Sequence, residues 1–140
     1  MSKLTINGTF ILQNALLASK LSKKVDLHLS MHGISFTEYM IMHQLYGAAL
    51  HTMRRIELAE HVGLSASGIT RLIAPMEKIK LVEKESNPRD ARQSLVKLSA
   101  TGLQLYKDAS ITFEQCATSL LSNVSSVQVD KMLENTQKLL

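Results

Sequence analysis

The residues best suited to meeting a charged partner are one short run of small hydroxylated side chains and three arginines. Ser65, Ala66, Ser67, Gly68, Thr70 and Arg71 stand in a single stretch. Serine and threonine hydroxyls bond phosphates or base edges, and arginine reaches guanine or phosphate through parallel N–H groups. Small residues between them let a backbone approach closely. Arg89 and Arg92 stand further on, in the turn-forming segment Asn-Pro-Arg-Asp-Ala-Arg-Gln. Arginine on a slender loop suits a narrow minor groove, where the negative potential is enhanced. Asp90, between the two, cannot favour a polyanion as a free charge, and it is expected to orient a neighbouring arginine by ion pairing. This is a donor set for duplex DNA.

The first run needs a helix to present it. The segment RIELAEHVGLSASGITRLI, residues 55–73, has the requirements of a helix-turn-helix. Two short helices crossing steeply need a small residue at the crossing, and Ala59 supplies it. The turn needs a residue tolerant of positive φ, and Gly63 follows four positions later. Leu58, Val62, Leu64, Ile69 and Leu72 are spaced to close the wedge. Ser65 suits an N-cap. The second helix of such a unit presents its first residues to the major groove. Its free N–H groups also favour a phosphate. Pro75 lies within that helix and is expected to kink it beyond Arg71.

The remaining periodicity is almost all helical. Leu17, Leu21, Val25 and Leu29 form a stripe within residues 10–30. Ser35 and Glu38 form a capping box that opens a second helix. Phe36, Tyr39, Met40, His43 and Tyr46 lie on its apolar side, and Gly47 suits a left-handed C-cap. A third helix covers residues 55–62, with Ile56, Leu58, Ala59 and Val62 inward. Residues 81–86 and 94–98 flank the arginine-bearing turn and read as a β-hairpin. Leu103, Tyr106, Ala109, Phe113, Ala117 and Leu120 mark a long fifth helix. Ser125 and Gln128 form a second capping box, ahead of a final helix with Val129, Met132, Leu133, Thr136 and Leu140 on one side. The order is α-α-α-α-β-β-α-α: a mainly α chain with a small β-hairpin wing, a winged helix-turn-helix.

Composition agrees. The 140 residues, 45% of them hydrophobic, suffice for one domain with a core, and the net charge of +4 suits a polyanionic partner. No stretch approaches the roughly 20 apolar residues of a membrane helix. The N-terminal residues do not read as a secretory signal. A lone cysteine, Cys116, cannot form an internal disulfide, so a reducing cytoplasm is the expected location. No nucleophile elbow, P-loop, dinucleotide fingerprint or HExxH motif is present, so no catalysis and no cofactor are expected.

The combination of LAEHVGLSASGITRLI, MEKIKLVEK and NPRDARQSLVKLSATG resembles the MarR family, the multiple antibiotic resistance regulators. The resemblance runs from the first helix to the last. It implies a DNA-reading helix over Ser65 to Met76 and an aspartate-arginine wing over Arg89 to Arg92. It also implies a homodimer joined by the terminal helices, about residues 8–32 and 100–140, around a DNA-binding lobe of about residues 36–99. Such a dimer reads a pseudo-palindrome with half-sites roughly one helical turn apart. The family mostly represses transcription, and small ligands commonly release its DNA. Lys80 departs from the pattern, standing where the family usually has glycine.

The resemblance also suggests an effector crevice between the dimer region and the DNA-binding lobe. His28, His32, Met40, His43 and Arg55 are its candidate lining, with His43 expected to be buried and hydrogen-bonded. His28 and His32 have a spacing that two metal ligands can use, but no third or fourth ligand accompanies them. Cys116 has no cationic neighbour in sequence to activate it and reads as a core or interface thiol. A metal- or redox-responsive regulator and a protein-interaction adaptor without DNA binding are the alternatives.

Overall fold

The computed structural model describes residues 3–140, except the side chains of Asn87, Ala91, Arg92 and Gln93. Helix α1 (Ile6–Leu29) is capped by Thr5, whose side chain accepts from the Gly8 N–H. Its apolar stripe packs only at the C-terminal end, where Val25 and Leu29 are buried. Leu17, at the other end of the stripe, is exposed. A 3-10 turn (Ser30–His32) and left-handed Gly33 lead into α2 (Phe36–Gly47). The predicted capping box is present: Glu38 N–H donates to Ser35 Oγ at 3.1 Å, and Ser35 N–H donates to Glu38 Oε1 at 2.8 Å.

Three local expectations are corrected here. Helix α2 buries Ile41, Met42 and Leu45 as well as Tyr39, so its core face is not the stripe of Phe36, Met40, His43 and Tyr46. The helix has two used faces, and a single stripe describes only one of them. Gly47 ends α2 without adopting a left-handed conformation. Positive φ appears instead at Leu50 and His51, inside a second 3-10 turn (Ala49–His51). Ile56 is 61% exposed rather than inward.

That second turn delivers a strand absent from the sequence reading, β1 (Thr52–Arg54), which runs directly into α3 (Arg55–Val62). Gly63, at φ 71, closes α3 with Leu64 N–H bonded to Ala59 O and Gly63 N–H to Glu60 O. Helix α4 (Ala66–Lys78) begins at Ser65, whose side chain accepts from Gly68 N–H, and continues through Pro75. Its end uses the same closing motif as α3: Leu81 N–H bonds Met76 O and Lys80 N–H bonds Glu77 O. Here the left-handed residue is Lys80, at φ 63, a conformation that glycine adopts at lower cost.

Strands β2 (Val82–Asn87) and β3 (Asp90–Leu98) form the wing, and the sheet order is β1-β3-β2, all antiparallel. The hairpin register is regular from Val82↔Leu98 to Ser86↔Ser94 and shifts beyond it, toward the tip. Helix α5 (Ala100–Leu120) starts at Ser99, a buried serine whose hydroxyl donates to Lys80 O at 2.6 Å and accepts from Gly102 N–H at 2.9 Å. Gly102 is required by close approach: a Cβ there would lie 2.1 Å from Leu81 O. Helix α6 (Ser126–Gln137) has the predicted Ser125–Gln128 capping box but buries none of its residues.

The core lies in the middle of the chain. Leu29, Ile41, Met42, Leu45, Leu58, Ile69, Ile73, Met76, Val82 and Val96 are almost fully buried. Cys116 is buried in the same cluster.

Candidate nucleic-acid interface

The helix-turn-helix is assembled as its spacing requires. Leu58 and Ala59 of α3 and Ile69, Ile73 and Met76 of α4 are buried, while Val62, Leu64 and Leu72 pack partly exposed against them. The opposite side of α4 faces outward. Ser65, Ala66, Ser67, Thr70 and Arg71 are exposed there, and Gly68 is partly covered. Ser65 Oγ lies 3.2 Å from Ser67 Oγ, and Thr70 Oγ1 donates to Ala66 O at 3.1 Å. The helix thus begins with a hydroxyl cluster, free backbone donors behind it and a guanidinium one turn on. Such donors are of the kind that phosphates and base edges accept from.

The wing places Arg89 at its exposed tip and Asp90 beside it, at the start of β3. Arg92 follows on β3, and its side chain lies outside the described residues.

The five candidate effector residues separate. Met40 and His43 line a crevice of about 470 Å³ between α2 and α5, together with Phe36, Tyr39, Tyr46, Tyr106, Lys107, Ser110, Phe113 and Glu114. His43 is hydrogen-bonded, as expected, with Nδ1 2.7 Å from Tyr106 Oη, but it is exposed rather than buried. The crevice floor is aromatic: Tyr39 stacks on Phe113 at 4.7 Å and on Tyr106 at 5.3 Å between centroids. Burial pushes the Tyr39 and Tyr106 hydroxyls above the ordinary tyrosine value.

The other three lie elsewhere. His28 bonds through Nδ1 to Lys24 O within α1. His32 Nε2 lies 2.7 Å from Thr112 Oγ1, joining the 3-10 turn to α5. Arg55 is turned into the DNA-binding lobe, where it meets Ser94 and Glu77. Among the described residues no group of three histidine, cysteine or acidic side chains is placed to hold a metal. Among the described residues no helix is long and apolar enough to cross a membrane.

Sequence reasoning missed the α5 side of the crevice. Tyr106 and Phe113 read only as part of the fifth helix's apolar stripe, and the sequence assigns no role to Lys107, Ser110 and Glu114. Their spacing of three and four along α5 is the signal that could have grouped them.

Comparison with known proteins agrees with this geometry. A model of the MarR family matches residues 32–93, from the turn after α1 to the wing. The transcriptional repressor MprA of Escherichia coli (strain K12) is 26% identical over 122 residues, covering 87% of this chain and 69% of MprA. Sco3205, a MarR family transcriptional regulator from Streptomyces coelicolor solved in complex with DNA, superposes with a TM-score of 0.86 at 18% identity, covering 99% of this chain and 89% of that one. CouR from Rhodococcus jostii RHA1, solved bound to p-coumaroyl-CoA, gives a TM-score of 0.85 at 17% identity, covering 98% of this chain and 95% of that one. The structural likenesses establish the winged-helix fold, and the segment that is similar to the MarR family spans α2, the helix-turn-helix and most of the wing.

Proposed function

We propose that this protein is a sequence-specific DNA-binding transcriptional regulator that acts as a homodimer in the cytoplasm and represses its target. The observation that carries the reading is the two-sidedness of α4. Its inner face is fully buried, whereas Ser65, Ser67, Thr70 and Arg71 stand outward at its N-terminal end. In this reading α4 enters the major groove, with Gly68 allowing close approach. Arg89 and Arg92 of the wing enter the adjacent minor groove, and Asp90 orients one of them.

The dimer follows from apolar surface that one chain leaves uncovered. Ile6, Phe10, Ile11, Leu12, Leu16 and Leu17 of α1 and Val127, Met132 and Leu133 of α6 are all exposed. Exposed apolar surface of this kind marks a protein–protein interface. The α2–α5 crevice is the place for a small-molecule effector, through Met40 and His43 rather than His28, His32 or Arg55.

Selection of binders from a random duplex library tests the reading. An enriched inverted repeat with half-sites about one helical turn apart supports it. Absence of binding at low salt would overturn it in favour of a protein-interaction adaptor, because phosphate contacts strengthen as salt falls.

A further inference from the structure

We propose that Arg55 is a positioning residue that locks the DNA-reading helix to the wing strand, so that the two reach adjacent grooves at a fixed angle. The inference rests on the DNA-binding reading above. Arg55 is the first residue of α3 and follows Arg54 of β1 with no loop between them. Its backbone is therefore held by the sheet on one side and by the helix-turn-helix on the other. Its guanidinium spans two further elements. Nε donates to Ser94 Oγ of β3 at 3.0 Å, and Nη2 donates to Glu77 Oε1 of α4 at 3.0 Å. The side chains of Arg55 and Glu77 are only 19% and 29% exposed.

The position of this bridge gives it leverage. Helix α4 packs chiefly on α3 and β2. Ser94 is the last β3 residue in regular register with β2, opposite Ser86, before the register shifts toward the tip. Arg92 is two residues further along the same strand. A small rotation at Ser94 therefore moves the whole arginine-bearing tip relative to α4. A site that must match two grooves tolerates only about 0.5 Å of such play. Arginine suits the task because its donors lie in one rigid plane and its charge is matched by Glu77. With both arms engaged inside the lobe, the guanidinium is a brace and not a phosphate contact.

The brace predicts a loss of discrimination without a loss of phosphate binding. Full-length Ser94→Ala and Arg55→Lys are the informative variants, since each keeps the positive charge and removes only the fixed geometry. Affinities are measured for the duplex enriched by library selection and for a scrambled duplex of the same length and base composition. Salt dependence and thermal unfolding are recorded alongside. The expected result is a loss of about tenfold for the selected duplex. Affinity for the scrambled duplex, its salt slope and the unfolding temperature stay near wild type. Equal losses on both duplexes with a shallower salt slope would make Arg55 a phosphate contact and overturn the proposal. Unchanged discrimination, or losses that merely follow lowered stability, would also overturn it. A wild-type protein that does not distinguish the two duplexes would remove the DNA-binding reading itself, a separate failure read before any variant is compared.

Discussion

The winged-helix lobe and the terminal helices both carry apolar stripes, yet they finish folding in different ways. In the lobe, α2, α3, α4 and the sheet enclose one another, and Ile41, Met42, Leu45, Ile69, Ile73 and Met76 lose all contact with water. In the terminal helices, Ile6 remains 88% exposed and Leu133 64% exposed. Helix α6 is well capped at Ser125 but buries nothing. A lone amphipathic helix gains little stability in water without a surface to pack on. The lobe is thus closed within one chain, with Val25 and Leu29 of α1 and Tyr106, Ala109 and Cys116 of α5 completing its core, whereas the outer parts of α1 and α6 stay uncovered. Under the proposed function, recognition falls to the lobe and assembly to the ends.

Four changes break or sharpen that contrast. The largest effect is expected from removing residues 126–140. Sedimentation should then show a monomer, with the thermal transition of the lobe retained, and affinity for the selected duplex should fall by about 100-fold or more as two-site binding is lost. A truncated monomer that binds as tightly as the full chain would end the two-fold account. Next comes Gly102→Ala, where the start of α5 meets the lobe. The added methyl meets the Leu81 backbone carbonyl, which cannot yield cheaply, so urea unfolding should report a loss of about 2–3 kcal/mol.

Arg71→Ala should leave both fold and dimer intact and weaken binding to the selected duplex by about 1–3 kcal/mol if it reads a base. A flattened salt slope with little change in preference would place it on a phosphate instead. The smallest effect has the opposite sign. Lys80→Gly relieves a left-handed residue at the end of α4 and should stabilise the protein by roughly 0.5–1 kcal/mol in the same urea assay.

These variants also mark what the sequence could disclose. Features written in local chemistry were legible. Both capping boxes, the Ser65 cap, left-handed Gly63 and the helix-turn-helix wedge all depend on residues within a few positions of one another. Features set by distant neighbours were not. Strand β1 is only three residues long and exists because Arg54, Met53 and Thr52 find Leu95, Val96 and Lys97. The positive φ at Leu50 and His51 is imposed where α2 must turn back into the sheet, so the composition of the turn does not announce it. The need for glycine at position 102 comes from Leu81, twenty-one positions earlier.

The candidate site divides in the same way. The outward residues of α4 follow from helical period alone, since Ile69 and Ile73 must point inward. Arg55 looked like a crevice residue because its partners, Glu77 and Ser94, lie 22 and 39 positions away. Helix α2 concealed its two faces because apolar residues occupy both, and a period read from one stripe cannot reveal the second.

Hydroxyl-radical footprinting of the full-length protein on the library-selected duplex tests the central claim most directly. The account predicts two protected regions related by a dyad, with centres about one helical turn apart and each flanked by minor-groove protection from a wing. A single protected region, or uniform protection without a dyad, would contradict the division between a reading lobe and assembling ends.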